Sequence, residues 1–334
     1  MAHKLHFEDG RAAMFYVREK PWHGLGTEFT FPPKTAEEAI RGANIDWAVE
    51  PIPLYAASEG FYAQIPDRYA IVRKDLWGKP GCKLFGIVGS DYRPLQNIDA
   101  FRFFDGIVST GLVSYETGGA LGDGERVWVQ ARVKGDMDVA GDKIERFLLL
   151  SNGHDGKTAV DIRFSPIRVV CQNTLSWALQ ERSPLFHIHH DQRMDKRIEG
   201  AEIAIKDILE EYDRIETKFK KFTTIKLAEP SMVEYFTKVF ADPKRYTNER
   251  DNTYASRLKK VQSTRENARR LADFGEGNQN HRGTVWAAYN GITELVDHEW
   301  GYADPTKRLN FLWFGEGERI KIKALEEASN LCRN

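Results

Sequence analysis

The sequence predicts an α+β protein: an antiparallel sheet with packed helices, then a mainly helical region with a long helical hairpin and C-terminal helices. Three observations predict it. Val127, Val129, Ala131 and Val133 alternate with Trp128, Gln130 and Arg132, the period of a half-buried strand. Asn152-Gly153 and Asp155-Gly156 punctuate two apolar runs, the signature of a hairpin turn. From Met194 to Phe222 large apolar residues step by four and three without a break, a heptad that demands a helical partner.

Taken in order, Thr35-Ala36-Glu37-Glu38 is a capping-box pattern that opens a helix ending near Gly42. Trp47 to Leu54 reads as a strand, and Pro51 and Pro53 confine it to a sheet edge. Tyr69–Arg73 and Lys83–Val88 flank Trp77-Gly78-Lys79-Pro80-Gly81, a hairpin with a long turn. Asn97 is placed to cap a helix carrying Ile98, Phe101, Phe104 and Val108 on one face. Leu112–Glu116 and Arg126–Val133 are strands on either side of a glycine turn, Gly118 to Gly124. Glu145–Ser151 and Thr158–Phe164 form a second pair, and Val169–Leu179 reads as a helix on that sheet, so the expected core order is β-β-β-β-α.

The heptad helix spans Met194, Ile198, Ala201, Ile205, Ile208, Tyr212, Ile215, Phe219 and Phe222. Tyr254–Ala272 is a candidate partner; the same helix of another subunit is the alternative. A helix from Gly283 to Asp297 with Thr284 as cap, and a short helix through Leu325, Ala328 and Leu331, complete the chain. The expected division is 1–190 for the sheet domain and 191–334 for the helical region.

Composition excludes several classes. Hydrophobic residues at 41% and charged residues at 29% are globular values. Lys and Arg total 48 against 49 Asp and Glu, so any affinity for a polyanion rests on a local patch. Three scattered cysteines make neither a disulfide framework nor a metal knuckle, which fits a reducing cytoplasm. No apolar run is long enough for a signal peptide or membrane span.

Three motifs bear on function. The Gly118–Gly124 loop precedes a strand and carries no Lys-Ser/Thr pair, so it reads as a hairpin tip rather than a phosphate loop. His187, His189, His190 and Asp191 form the one histidine cluster; His187, His189 and Asp191 are candidate metal ligands, with His154 as a possible addition, beside the plainer reading of a polar strand end. Residues 243–270 hold nine basic and three acidic side chains, and the strands add Arg126, Arg132, Arg163 and Arg168 with Trp128 and Phe164 interleaved. Cations track phosphates while aromatic faces stack unpaired bases. The plainer reading is a solvated helix face.

Several segments together resemble a known family: Pro21-Trp22-His23-Gly24-Leu25-Gly26, Asp46-Trp47-Ala48-Val49, and Gly89 to Asn97. Further along come Leu149 to Gly156, Arg168 to Leu175, Gly283 to Asn290, and Trp313-Phe314-Gly315. These motifs resemble the phage/plasmid-like family of domain of unknown function 932. The resemblance implies a protein of mobile elements and brings no assigned activity or catalytic residue. The order of strands and helix is also similar to the core of Rad52-type single-strand annealing proteins, which implies rings with a basic groove for single-stranded DNA.

The expectation is a non-enzymatic, cytoplasmic DNA-binding protein acting in single-strand annealing or recombination, as a homo-oligomer and without a cofactor. Arg126, Trp128, Arg132, Arg163, Arg168, Lys259 and Lys260 are its candidate contacts. A metal-dependent enzyme on nucleic acid or nucleotides is the first alternative, and a protein-interaction or anti-defence factor the second. The heptad stripe is the expected subunit contact.

Overall fold

The computed structural model describes residues 5–18, 24–168, 173–174, 186–204, 208–300, 311–312 and 315–333. In chain order the first elements are β1 (Phe7–Glu8), β2 (Arg11–Ala12), β3 (Met14–Val17), β4 (Thr27–Phe29), α1 (Ala36–Gly42), β5 (Val49–Ser58), β6 (Phe61–Arg73) and β7 (Leu84–Val88). Next come α2 (Asn97–Arg102), α3 (Asp105–Val108), β8 (Val113–Leu121), β9 (Arg126–Val139), β10 (Asp142–Gly153), β11 (Val160–Phe164), β12 (Ile167–Arg168) and β13 (Asn173–Thr174). The chain continues through β14 (Phe186–Ile188), α4 (Met194–Ala204), α5 (Ile208–Thr224), α6 (Glu229–Val239), α7 (Asp251–Phe274), α8 (Val285–Glu294) and α9 (Glu316–Leu331). The fold is α+β, with sheets rich in antiparallel pairs; β3 and β4 pair in parallel.

Two compact units interleave in sequence: residues 1–134, 147–164 and 182–208 form one, and 135–146, 165–181 and 209–334 the other. The cause lies in β9 and β10, 14 and 12 residues long, which contribute to both units. Strands of five or six residues would have stayed within one.

In the first unit β8 pairs with β9 from Val113↔Val133 to Leu121↔Arg126, and β10 with β11 from Leu148↔Phe164 to Ser151↔Asp161. Val127, Val129, Ala131 and Val133 are wholly buried, as the alternation required. The turn is shorter than expected, because Gly118 and Gly119 lie inside β8. They are glycine for packing: a Cβ on Gly118 would sit 2.9 Å from the Phe15 ring, and one on Gly119 would sit 2.5 Å from the Ala13 carbonyl. Gly122 and Gly124, with φ of +70° and +102°, make the turn itself. β5, β6 and β7 form a separate three-stranded sheet with proline-bearing β5 at its edge. Thr35 caps α1 by accepting from the Glu38 N–H. Asn97 is not the cap of α2, a position held by Gln96; its side chain turns inward.

In the second unit β12 pairs with both β10 and β13. Asn173 and Thr174 are thus a strand, which corrects the helix expected over 169–179; residues 169–172 and 175–179 lie outside the described residues. A Cβ on Gly291 of α8 would meet the Ala268 carbonyl and Ala272 nitrogen of α7 at 2.6 Å, so the two helix backbones touch through small residues. Thr284 caps α8, whose residues are buried on every side. Its Trp286 indole N–H donates to Asp142 at 2.7 Å.

The heptad stripe is described as α4 and α5; Ile205 lies outside the described residues. Tyr212, Ile215, Phe219 and Phe222 of α5 are fully buried. Phe219 meets Trp286 and Tyr289, and Phe222 meets Tyr289, at ring separations of 5.1 to 6.3 Å. Aromatic residues of α8 therefore cover this end of the stripe. At this end the rings that meet the stripe come from α8 rather than from the candidate partner 254–272. The final helix, α9, is 16 residues long rather than short.

Candidate functional site

Two sets of polar residues compete for a functional role, and both begin in the first unit. The first is the basic set read from the strands. By alternation Arg126, Trp128, Gln130, Arg132 and Lys134 share one face of β9. Arg126 is half-buried and donates to the Thr158 hydroxyl at 3.0 Å. Arg132 is half-buried and Lys134 is exposed. Trp128, expected as a stacking platform, is 1% exposed. Its indole lies in the core and offers no face to a base, because the same alternation that aligned it with the arginines carried it under cover. Arg163 is buried too, 3.4 Å from Asp161 on its own strand. The side chain of Arg168 lies outside the described residues.

Lys259 and Lys260 stand exposed on α7, in the second unit. Most arginines of that segment are already engaged. Arg257 pairs with Glu249 at 2.6 Å, Arg265 with Asp242 at 2.6 Å, and Arg269 with Glu229 at 2.9 Å. Arg270 bonds Glu299, and Arg245 bonds Asp251. Three of these carboxylates, Glu229, Asp242 and Glu299, lie outside the 243–270 window, so a local charge count overstated the open positive charge.

The second set is a hub of three quoted motifs. Asn97 is 2% exposed and donates through Nδ2 to the carbonyls of Ile45, at 2.9 Å, and Trp47, at 3.3 Å. Its Oδ1 therefore faces His154 Nε2, 2.9 Å away. That bond makes Nε2 the protonated nitrogen and leaves Nδ1 a bare lone pair, buried with no partner. His154 is fully buried, stacked on Phe85 at 6.2 Å and edge-on to Trp47 at 5.9 Å. The next residue, Asp155, fixes its own turn by accepting from the N–H groups of Lys157 and Thr158 and the Thr158 hydroxyl. Those donors hold its carboxyl below the usual range although burial opposes them. A Cβ on Gly86 of β7 would stand 2.3 Å from the Asp155 carbonyl, so only glycine admits this loop. Nearby, His190 stacks on Tyr92 at 5.0 Å, and its Nδ1 meets the Arg93 carbonyl at 3.1 Å. Asn152 ties the end of β10 to the same motif by donating to the Leu95 carbonyl at 2.9 Å.

Burial pushes the His154 imidazole down to about 3, with His190 adding to the fall. An unfolded histidine titrates near 6.5. Below that value the unfolded chain binds a proton that the folded chain refuses, so stability falls with pH until about 3. Between pH 6 and 4 the expected loss is about 1.4 kcal/mol per pH unit from this residue alone. His190, also lowered by burial, steepens it. Urea midpoints across that range check the slope, and His154→Phe should flatten it by about one proton; an unchanged slope in the variant would contradict the assignment.

A cavity of about 430 Å³ in the same unit is lined by His6, Glu8, Arg73, Lys83, Phe85 and Asp123 among others. Arg73 is spent on Glu8 and Asp75 and lies 4.8 Å over the Trp47 ring, while Lys83 pairs with Asp123. The cavity thus presents no open cation to a phosphate. Of the proposed metal ligands, His187 Nδ1 lies 2.6 Å from Asp161, the His187 and His189 rings are perpendicular at 4.9 Å, and Asp191 is held by Arg197 at 2.8 Å. Among the described residues no group of three or more His, Cys, Asp or Glu side chains is placed to hold a metal.

Three of the segments that carry the family resemblance, 46–49, 89–97 and 149–156, meet at this hub. A family model described as Domain of unknown function (DUF932) matches residues 84–313. The chain belongs to this family. In this DUF932 protein the 89–97 and 149–156 motifs pack together around Asn97 and His154. No curated protein and no solved structure matches the chain. Among the described residues no helix is long and apolar enough to cross a membrane.

His154 lies at the centre of the hub, and Lys134 shares the β9 face of Arg126 and Arg132. The period-two rule that aligned Arg126 with Arg132 already reaches Lys134.

Proposed function

We propose that this protein binds single-stranded nucleic acid and acts in strand annealing or recombination within a mobile element. The observation that carries the reading is the row of Arg126, Arg132 and Lys134 on one face of β9, half-buried or exposed at each position. Cations spaced along one strand can follow a phosphate backbone without reading bases. Lys259 and Lys260 on α7 remain candidate contacts. Trp128 is no longer one, so stacking does not contribute through that residue.

Anisotropy titration with a single-stranded oligonucleotide at low and raised salt is the test. Binding should weaken as salt rises, and Arg132→Ala with Lys134→Ala should shallow the log–log slope by about 1.4, at ~0.7 per single-strand phosphate contact. Absence of binding at low salt overturns the proposal. Binding with an unchanged slope in the variant moves the contact off β9.

A further inference from the structure

With Trp128 buried, its strand lacks the aromatic face that single-strand binding uses. The second unit presents one. Tyr246, in the segment that leads into α7, is 67% exposed. The Arg257 guanidinium lies 4.7 Å over its ring, which backs one face, and a residue this exposed keeps the other in solvent.

The ring is held rather than loose. The Glu249 carboxylate accepts from the Tyr246 backbone N–H at 3.2 Å and pairs with Arg257 at 2.6 Å. The Glu249 N–H donates back to the Tyr246 carbonyl at 3.1 Å, and Arg257 donates to the Lys244 carbonyl at 3.3 Å. Beside them Arg245 bonds Asp251 and lies 5.6 Å over the Tyr254 ring. Residues 244–249 are thus clamped onto the first two turns of α7 by side chains that are themselves paired. An aromatic side chain fixed in advance loses little further entropy when a ligand lies on it.

Around this clamp the open charge is positive. Glu249 and Asp251, the acids of 243–260, are matched by Arg257 and Arg245. Lys244, Arg250, Lys259 and Lys260 are exposed, and their side chains have no ion-pair partner among the described residues. Arg250, Tyr254, Arg257 and Lys260 recur at steps of four and three, which puts them on one side of the helix. An open ring beside open cations fits a ligand with both a flat face and a negative backbone. A duplex hides its base faces in the stack, and an acidic peptide or lipid headgroup brings charge without a ring. An unpaired strand brings both.

We propose that Tyr246 is the base-stacking platform of this protein, taking one unpaired base of a single strand while Lys244, Arg250 and Lys260 hold neighbouring phosphates. The inference rests on the single-strand binding proposed above and adds to it a contact with the bases. Because every base has a π-face, this contact is tolerant of sequence, as annealing requires.

Two oligonucleotides with the same number of phosphates, one normal and one abasic throughout, separate the ring from the charge. In anisotropy titrations at fixed low salt the wild type should prefer the normal strand. Tyr246→Leu should weaken that binding by about 5- to 150-fold, the worth of one stacked base, and leave the abasic strand unaffected. Tyr246→Phe should bind as the wild type does. The salt slope should be the same in these proteins, since no phosphate contact is lost, whereas Lys244→Ala with Arg250→Ala should shallow it by about 1.4. Equal affinity for the two strands overturns the proposal and leaves phosphate binding standing. So does a preference for the normal strand that Tyr246→Leu does not move, which puts the stacking elsewhere. Absence of binding to either strand overturns the single-strand reading itself, and the platform with it.

Discussion

Asn97→Ala is expected to lower the unfolding free energy by about 3–9 kcal/mol, at roughly 1–3 kcal/mol for each buried group left unpaired. Three groups lose their partner together: the Ile45 carbonyl at 2.9 Å, the Trp47 carbonyl at 3.3 Å and the His154 Nε2–H at 2.9 Å. None can recruit water without opening the core, because Asn97 is 2% exposed and His154 fully buried. Asn97→Asp tests the same point differently. It keeps the volume and an acceptor for His154 but turns the amide donor into a second acceptor, facing two carbonyls. It should be at least as damaging at neutral pH. Urea denaturation followed by circular dichroism gives the number; a loss below about 1 kcal/mol, the worth of one ordinary hydrogen bond, would show that the hub is not a structural keystone.

Lys321→Ala is expected to cost about 3–5 kcal/mol, the range for removing one partner of a buried ion pair. Lys321 on α9 is wholly buried, and its ammonium lies 2.9 Å from Asp297, itself 4% exposed, in the π-helical turn that follows α8. The substitution removes the ammonium that faces this buried carboxylate. The double variant Lys321→Met, Asp297→Leu removes both charges and should recover most of the loss, since a well-packed apolar pair often replaces a buried ion pair at little cost. Thermal or urea unfolding of both single variants and the double variant completes the cycle. Additive losses would mean that the two charges act independently, against this account.

The hub and the ion pair also mark where sequence reading stops. Asn97 precedes a helical run and has the side chain of a cap, so local rules assign it to the backbone of α2. Its real partners are residues 45, 47 and 154, which no window around position 97 contains. The arginines of 245–270 pose the same problem. They form a positive run in sequence, yet Glu229, Asp242 and Glu299 reach them from elsewhere in the chain. Trp128 alternates with its neighbours as predicted, but alternation assigns a side chain to a face without saying whether that face is covered.

The amino-acid sequence by itself determined the α+β class, the β8–β9 and β10–β11 pairings, the proline-edged hairpin, the Thr35 and Thr284 caps and the family, since each rests on spacing within some twenty residues or on motifs read directly. The tertiary structure alone decided that Gly118 and Gly119 belong to a strand, that α8 covers the α5 end of the heptad stripe, that the units interleave, and that His154 is held by Asn97. Each of those depends on contacts between residues far apart in the chain. There, close packing and the cost of an unpaired buried polar group select one arrangement among several that local propensity allows.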